Sequence, residues 1–304
     1  MLSLTVGIAA YNEASNISHL LHEITVQSAR SYSLERIVTV SDGSTDETPN
    51  IISDLQKKIP RLYVVTLCER KGKSHAQNII MQKSSSDLLL LLDADVALPH
   101  KTFIDSFVNH IQSTRSALSS AHVQAAPARS LIARSLATSM DIKYAVFTQW
   151  KEGDNIYTCH GRARMLTREL YTKLRFPSVV AEDAYSYLFC KHKNLRYSYA
   201  SCIRVIYQLP TTFRDHYRQS QRYFRTITEN EKYFDKEFVR AQYRYPPHLF
   251  AKHTFLFFIK RPIEVCVYMG IVVTVVVFQL FDRVCTVLWK ISHSTKRITR
   301  HLDA

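Results

Sequence analysis

Glycine is scarce in this chain: six residues among 304. A glycine-rich loop wrapping a phosphate chain near the N-terminus therefore has little to be built from. The six cysteines include no C-x-x-C pair and no zinc-finger spacing, and read as scattered reduced thiols of a cytoplasmic protein. No basic leader opens the sequence. Leu2 to Ala10 is too short and runs into strand chemistry, so no signal peptide is expected. Acidic residues are in deficit, with 26 Asp+Glu against 40 Lys+Arg, a formal net charge of +14. That excess suits nucleic acid, an anionic membrane surface or phosphorylated substrates. RNP-type aromatic strands are missing too, so no nucleic-acid partner is expected. Several long apolar segments, which a translocating channel needs, are also absent.

What is present is a core-forming composition, 46% hydrophobic, and a regular alternation. Leu4–Ala10, Arg36–Val40, Leu62–Leu67 and the apolar run Leu88–Leu92 read as strands. Helical spacing at Ile17, Leu20, Leu21 and Ile24, over Thr48–Lys58 and over Ser74–Gln82 separates them. Strand and helix in turn imply an α/β fold with a mainly parallel sheet covered on both faces. Further on, Ala117–Gln124, Asn155–Gly161 and Tyr197–Gln208 are expected as strands, and Ser130–Phe147, Val180–Lys191 and Thr212–Lys232 as helices. No repeat or low-complexity linker marks a boundary before about residue 245. The chain is therefore expected to divide into 1–245 and a C-terminal helical region, 246–304.

That tail changes character. Leu249–Ile259 is apolar and aromatic, Lys260-Arg261-Pro262 breaks it, and Val265–Phe281 is almost wholly apolar. As a helix the last segment reaches about 25 Å, slightly short of a hydrocarbon core of about 30 Å. A buried core helix, a single span, a re-entrant helix and an interfacial helix all fit it. Basic residues lie on both sides, with Arg283, Lys290, Lys296, Arg297 and Arg300 following, so charge assigns no orientation.

Asp93-Ala94-Asp95 stands at the exit of the Leu88–Leu92 run. Two carboxylates at i and i+2 there can be aimed at one hard cation, Mg²⁺ or Mn²⁺, beside substrate phosphates. A strand-to-loop turn or a helix cap uses the same residues. Tyr11-Asn12-Glu13 ends the first strand and Ser41-Asp42-Gly43 the second. Arg70-Lys71-Gly72-Lys73 follows the third, with charge that could meet a diphosphate. Glu182-Asp183 opens a helix, where acids suit the dipole and where a partly desolvated carboxylate can act as general base.

The order of these segments resembles family 2 glycosyltransferases of GT-A fold. The resemblance runs from about residue 2 to 230, over Val6–Glu13, Val40–Asp46 (V-S-D-G-S-T-D), Lys71–Asn78, Leu91–Asp95 (L-L-D-A-D) and Ala181–Asp183. It implies an inverting transfer from a nucleotide-diphosphate sugar, usually a UDP-sugar, with Mg²⁺ or Mn²⁺ as cofactor. Tyr11, Glu13 and Asp42 would line the nucleotide, with Lys73 near it and Gly161 beside the donor sugar. Asp93 and Asp95 would hold donor and metal, Asp95 being the more direct ligand. Asp183 would be the catalytic base, with Glu182 next to it in the donor site. Arg162 and Arg164 are candidates for phosphate or acceptor contact. Gln219-Ser220-Gln221-Arg222-Tyr223 resembles the Q-x-x-R-W motif of membrane-linked members, which adds Gln219 and Arg222 to the donor site. Tyr in place of Trp speaks against a polymer-threading role. The expected acceptor is a lipid-linked sugar, polyprenyl phosphate or cell-surface glycan, met at the cytoplasmic face of the cell membrane through Val265–Phe281. A nucleotidyltransferase and a non-catalytic family relative are the rival readings.

Overall fold

The computed structural model describes residues 1–221, 223–281 and 298. The chain first alternates strand and helix: β1 (Leu2–Ala10), α1 (Ile17–Thr25), β2 (Tyr32–Asp42), α2 (Thr48–Gln56), β3 (Leu62–Leu67), α3 (Lys73–Gln82) and β4 (Leu88–Asp93). β1 is parallel to both β2 and β4, and β2 to β3. The continuous Leu run of β4 has a simple cause. Leu88, Leu90 and Leu92 pack on one face of the sheet with Leu20, Phe103 and Phe107. Leu89 and Leu91 pack on the other with Ile80, Leu170 and Leu188. Both faces are covered, so neither set of alternating positions needs to be polar, and each Leu gains roughly 1.5–3 kcal/mol from burial.

A mixed half follows: β5 (Val96–Ala97), α4 (Phe103–Thr114), β6 (Leu118–Ala125), α5 (Leu131–Gln149), β7 (Ala163–Thr167), α6 (Arg168–Tyr171), α7 (Glu182–His192) and β8 (Tyr197–Tyr207). The eight strands form one sheet in the order β3-β2-β1-β4-β7-β6-β8-β5. β7 is antiparallel to β4 and β6, and β5 to β8. The sheet is thus parallel through its first four strands and mixed beyond.

One expected strand is corrected. Asn155–Gly161 is not extended: Ile156–Thr158 forms a 3-10 turn, and the strand begins at Ala163. Side chains capture the backbone here. Asn155 Nδ2 donates to the carbonyls of Phe147 and Trp150, and Thr158 Oγ1 to those of Gly153 and Asn155. Such local bonds compete with a strand ladder.

The chain ends in helices: α8 (Phe213–Ser220), α9 (Tyr223–Asn230), α10 (Lys236–Tyr243), α11 (Pro247–Lys260) and α12 (Pro262–Phe281). The stretch expected as one helix over Thr212–Lys232 is thus two. Residue 245 falls between α10 and α11. The last two helices pack on α5. Val265 joins Ile142, Val146 and Phe147 in a small apolar cluster, Arg261 Nη1 bonds Asp141 Oδ2 at 2.9 Å, and Arg134 pairs with Glu264. Among the described residues, no helix is long and apolar enough to cross a membrane. Arg283, Lys290, Lys296, Arg297 and Arg300 lie outside the described residues.

Candidate active site

Parallel pairing puts the carboxyl ends of β1, β2, β3 and β4 at one edge, where ligands of open α/β sheets bind. Ala9 lies opposite Asp93, and Ala10 opposite Ser41. Antiparallel β7 starts at the same edge, with Ala163 opposite Leu92. The Asp93 amide donates to the Arg162 carbonyl at 2.9 Å, which brings Gly161 alongside.

Three elements converge on Lys73, the first residue of α3. Its Nζ lies 2.5 Å from Asp93 Oδ1 and 2.7 Å from Glu182 Oε1, and donates to the Gly161 carbonyl at 3.5 Å. Behind Glu182 stands Arg164, 0% exposed. Its Nη1 donates to the Glu182 carbonyl at 3.0 Å and to Ser186 Oγ at 2.6 Å, and its Nη2 to Gln77 Oε1 at 3.0 Å and Glu182 Oε1 at 3.4 Å. Arg164 is therefore no surface cation facing a phosphate or an acceptor, as the sequence suggested; it is the buried post for the first turn of α7. Arg162 lies with its guanidinium carbon 3.8 Å from the Tyr207 ring centroid.

Asp183 accepts from the Gly161 amide through Oδ2 at 3.1 Å and from the Ala184 amide through Oδ1 at 2.8 Å. A Cβ on Gly161 would meet Glu182 Oε1 at 2.9 Å, Lys73 Nζ at 3.2 Å and Asp183 Oδ2 at 3.3 Å. Gly161→Ala is expected to force these atoms apart and to cost about 1–3 kcal/mol, read by urea unfolding. Gly43→Ala should cost more, because its φ is +63° and its Cβ would lie 2.4 Å from the backbone at Glu69 and Arg70, which cannot yield.

Charge in the cluster is unbalanced. The carboxylates of Asp93, Asp95, Glu182 and Asp183 face the cations Lys73, Arg162 and Arg164. Burial pushes the Asp183 carboxyl above the usual carboxylate range, and Glu182 beside it adds to the rise. Burial, with the like charges of Asp95 and Glu182, holds Asp93 up as well, in spite of Lys73. For Glu182 burial is outweighed by Lys73 and Arg164, which hold its carboxyl low.

At the far end of the edge, Asp42 accepts from the Lys71 amide at 2.7 Å and the Gly72 amide at 2.8 Å. Both its oxygens tie β2 to the loop before α3. Arg70 lies over the Tyr11 ring, 3.9 Å from its centroid. Glu13 is 6% exposed, and its Oε2 accepts from Asn16 Nδ2 at 2.9 Å. Tyr11, Glu13 and Asp42 are thus gathered at the β1/β2 end, and Lys73, Asp93, Gly161, Glu182 and Asp183 at the β4/β7 end, with Asp95 two residues past Asp93. Gln219 sits on α8 and, among the described residues, makes no hydrogen bond or ion pair with either group. Arg222 lies outside the described residues.

The Glycosyl transferase family 2 model matches residues 5–175, more than half of the chain, from β1 past α6. The chain belongs to this family. Among curated relatives, glycosyltransferase AglE of Haloferax volcanii is 31% identical over 111 residues, 36% of this chain and 36% of that one. The 4,4'-diaponeurosporenoate glycosyltransferase of Staphylococcus aureus is 30% identical over 110 residues, 36% of this chain and 28% of its own. The match thus spans about a third of each relative's length. Among solved structures, the mannosyltransferase PcManGT of Pyrobaculum calidifontis, in complex with GDP-Man and Mn²⁺, superposes with a TM-score of 0.64 at 19% identity, over 92% of this chain and 88% of that one. S. aureus TarS 1-349 with UDP-GlcNAc gives 0.51 at 18% identity, over 68% and 59%. These likenesses agree on the GT-A-like fold that the family resemblance implies.

Gln77, which accepts from the buried Arg164, is the residue of this cluster that sequence reasoning missed, and Arg164 is one it gave another role. The only signal for Gln77 was its place within the Lys71–Asn78 segment. A divalent ion fits Asp95 and Asp93 by donor chemistry. Both are hard carboxylates, and Asp93 Oδ1 is a buried atom with no hydrogen-bond partner, met only by the Lys73 ion pair. Among the described residues no group of three or more His, Cys, Asp or Glu could hold a metal. Mg²⁺ and Mn²⁺ tolerate that, because one or two carboxylates plus substrate phosphates suffice.

Proposed function

We propose that this chain is an inverting, metal-dependent glycosyltransferase that moves a sugar from a nucleotide-diphosphate donor to an acceptor hydroxyl or phosphate at a membrane surface. One observation carries the reading. Asp93 and Asp183 stand as separate carboxylates around Gly161 and Lys73: Lys73 pairs with Asp93 and donates to the Gly161 carbonyl, while Asp183 accepts from the Gly161 amide. An inverting displacement needs that division of labour, with a site for the leaving diphosphate and a base for the incoming hydroxyl.

Tyr11, Glu13 and Asp42 line the nucleotide end, with Arg70 closing over Tyr11. Gly161 would stand beside the donor sugar as bare backbone, because any Cβ there presses on Glu182, Lys73 and Asp183. Asp183, made more basic by burial and by Glu182, takes the acceptor proton as the hydroxyl attacks the anomeric carbon. Lys73 offers an ammonium to the diphosphate as its bond to the sugar breaks. Asp95 with Asp93 would hold Mg²⁺ or Mn²⁺, which when bound stabilises negative charge on the leaving group. Gln219 and Arg222 remain candidates for the donor side. One displacement suffices, so no enzyme nucleophile is required.

The acceptor is proposed to be lipid-linked and the site of action the cytoplasmic membrane face. Support comes from α11 and α12. Phe255, Ile259, Ile263 and Val273 are each about three-fifths exposed, at 63%, 64%, 62% and 59%. Lys252 and Lys260 stand on the same helix as the first two. Exposed large apolar side chains of this kind suit an interaction surface, and flanking cations favour anionic lipid. Since no described helix is long and apolar enough to cross, the helices are read as lying in the interface.

Two measurements test this. The first is nucleotide release from a panel of UDP- and GDP-sugars, with Mn²⁺ or EDTA, against a membrane lipid extract. Release that needs Mn²⁺ is expected, and no release in any combination would favour the non-catalytic relative. The second is flotation of the full chain with phosphatidylglycerol vesicles. Phe255→Glu with Ile259→Glu is expected to lower the bound fraction about tenfold or more, since each large side chain contributes about 1.5–3 kcal/mol on burial. A wild-type chain that stays unbound would sink the membrane reading.

A further inference from the structure

The Lys73 ammonium sits where a metal ion would be at home. Asp93 Oδ1 at 2.5 Å, Glu182 Oε1 at 2.7 Å and the Gly161 carbonyl at 3.5 Å surround it. These oxygens come from β4, α7 and the turn before β7, so the fold itself assembles them. Two are anionic and one is a carbonyl, the donor set of a hard cation. Asp93 and Glu182 grip Lys73 from two sides, and both come from elements the fold holds in place. The ammonium is a fixed charge here.

Asp93 is also half of the pair read above as the metal holder. With Asp93 committed to Lys73, a divalent ion arriving alone would meet Asp95, a neutralised Asp93 and the repulsion of a nearby ammonium. A nucleotide diphosphate changes both terms. It brings oxygen ligands that the protein lacks, and its charge attracts Lys73 as well as the ion.

We propose that Lys73 is a tethered counter-ion that blocks divalent-metal binding to the empty site and makes it depend on the donor nucleotide. Ion and donor then enter as a unit, and Lys73 passes from Asp93 towards the diphosphate when they do. The proposal rests on the reading of Asp93 and Asp95 as metal holders. An ordinary structural ion pair predicts the opposite, because removing Lys73 would then loosen the carboxylates and weaken the metal in every state.

The test is Mn²⁺ titration of the full chain, followed by the electron paramagnetic resonance signal of free Mn²⁺, with and without UDP or GDP. The wild-type protein should bind Mn²⁺ about tenfold more tightly with nucleotide than without, a coupling of ordinary size. Lys73→Gln should bind Mn²⁺ about tenfold more tightly than wild type when nucleotide is absent, and should gain little from adding it. Lys73→Arg keeps the charge and should follow wild type. Asp93→Asn covers the case in which Lys73→Gln does not fold. It should leave Mn²⁺ affinity within about twofold without nucleotide and lower it about tenfold with nucleotide. Lys73→Gln binding no tighter than wild type, or Asp93→Asn losing its Mn²⁺ already without nucleotide, overturns the counter-ion role. Nucleotide binding by the wild type with no Mn²⁺ uptake in any state overturns the metal reading itself, and the counter-ion role with it.

Discussion

Asp183→Asn is expected to lower turnover by about a thousandfold, within the range that general base catalysis commands, while nucleotide binding measured by calorimetry changes little. The side chain sits between the amides of Gly161 and Ala184, so the base is held by hydrogen bonds to its own surroundings and its direction is set before any substrate arrives. Asn keeps one of the two acceptors and turns an NH₂ towards the other amide. Burial and Glu182 raise the Asp183 carboxyl above its ordinary range. The wild-type pH profile should accordingly fall on the acid side at a higher pH than a free aspartate, near 3.9, would give, and that limb should disappear in Asp183→Asn. Stability moves the other way. The folded state binds this proton more tightly than the unfolded chain does, so the group favours folding at acid pH, and that contribution fades as pH rises through the folded value. Unchanged turnover in the variant would remove Asp183 from the base role.

The first half of the fold was legible because its signals are local and redundant. Each of the first four strands is an apolar run closed by a polar exit, and the helices between them carry their apolar residues at helical spacing. Register then does what no single segment can. Pairing Ala9 with Asp93 and Ala10 with Ser41 turns separate strand exits into one edge. The second half was harder to read. Ile156, Tyr157 and Cys159 look extended, yet Asn155 and Thr158 spend their side chains on nearby carbonyls and curl the segment. Arg162 and Arg164 are two residues apart, and sequence alone gives both the same role, contact with a phosphate or an acceptor. The structure lays one over Tyr207 and buries the other behind Glu182, because α7 closes over that part of the sheet. A contact made across 18 residues, between Arg164 and Glu182, leaves no mark in local spacing. The loop cations were read as diphosphate partners, but Lys73 is first a partner of Asp93 and Glu182. Competition between carboxylates for one ammonium is visible only once the strands are paired.

Arg164→Met is expected to be the most destabilising single change in the site. The guanidinium is fully buried and joins α3 through Gln77 to α7 through Glu182 and Ser186. Its removal strands a buried carboxylate with Lys73 as its remaining cation, a loss of about 3–5 kcal/mol. At roughly 2–4 °C per kcal/mol for chains of about this size, Tm should fall by about 10 °C. Arg164→Lys keeps the charge but cannot reach Ser186, Gln77 and Glu182 at once, and should recover part of the loss. The pH dependence separates charge from packing. Lys73 and Arg164 hold the Glu182 carboxyl low in the fold, so this group stabilises the native state above its unfolded pKa, near 4.3, and loses that effect as pH falls through the lower folded value. If Arg164 acts as a charge partner, the gap between wild type and Arg164→Met is widest near neutral pH and narrows on acidification. A gap that stays constant from neutral pH down through that window would mean that Arg164 serves as a packing element alone. In that case Lys73 would be the cation that keeps Glu182 charged, and the first turn of α7 would hold its place without the guanidinium's charge.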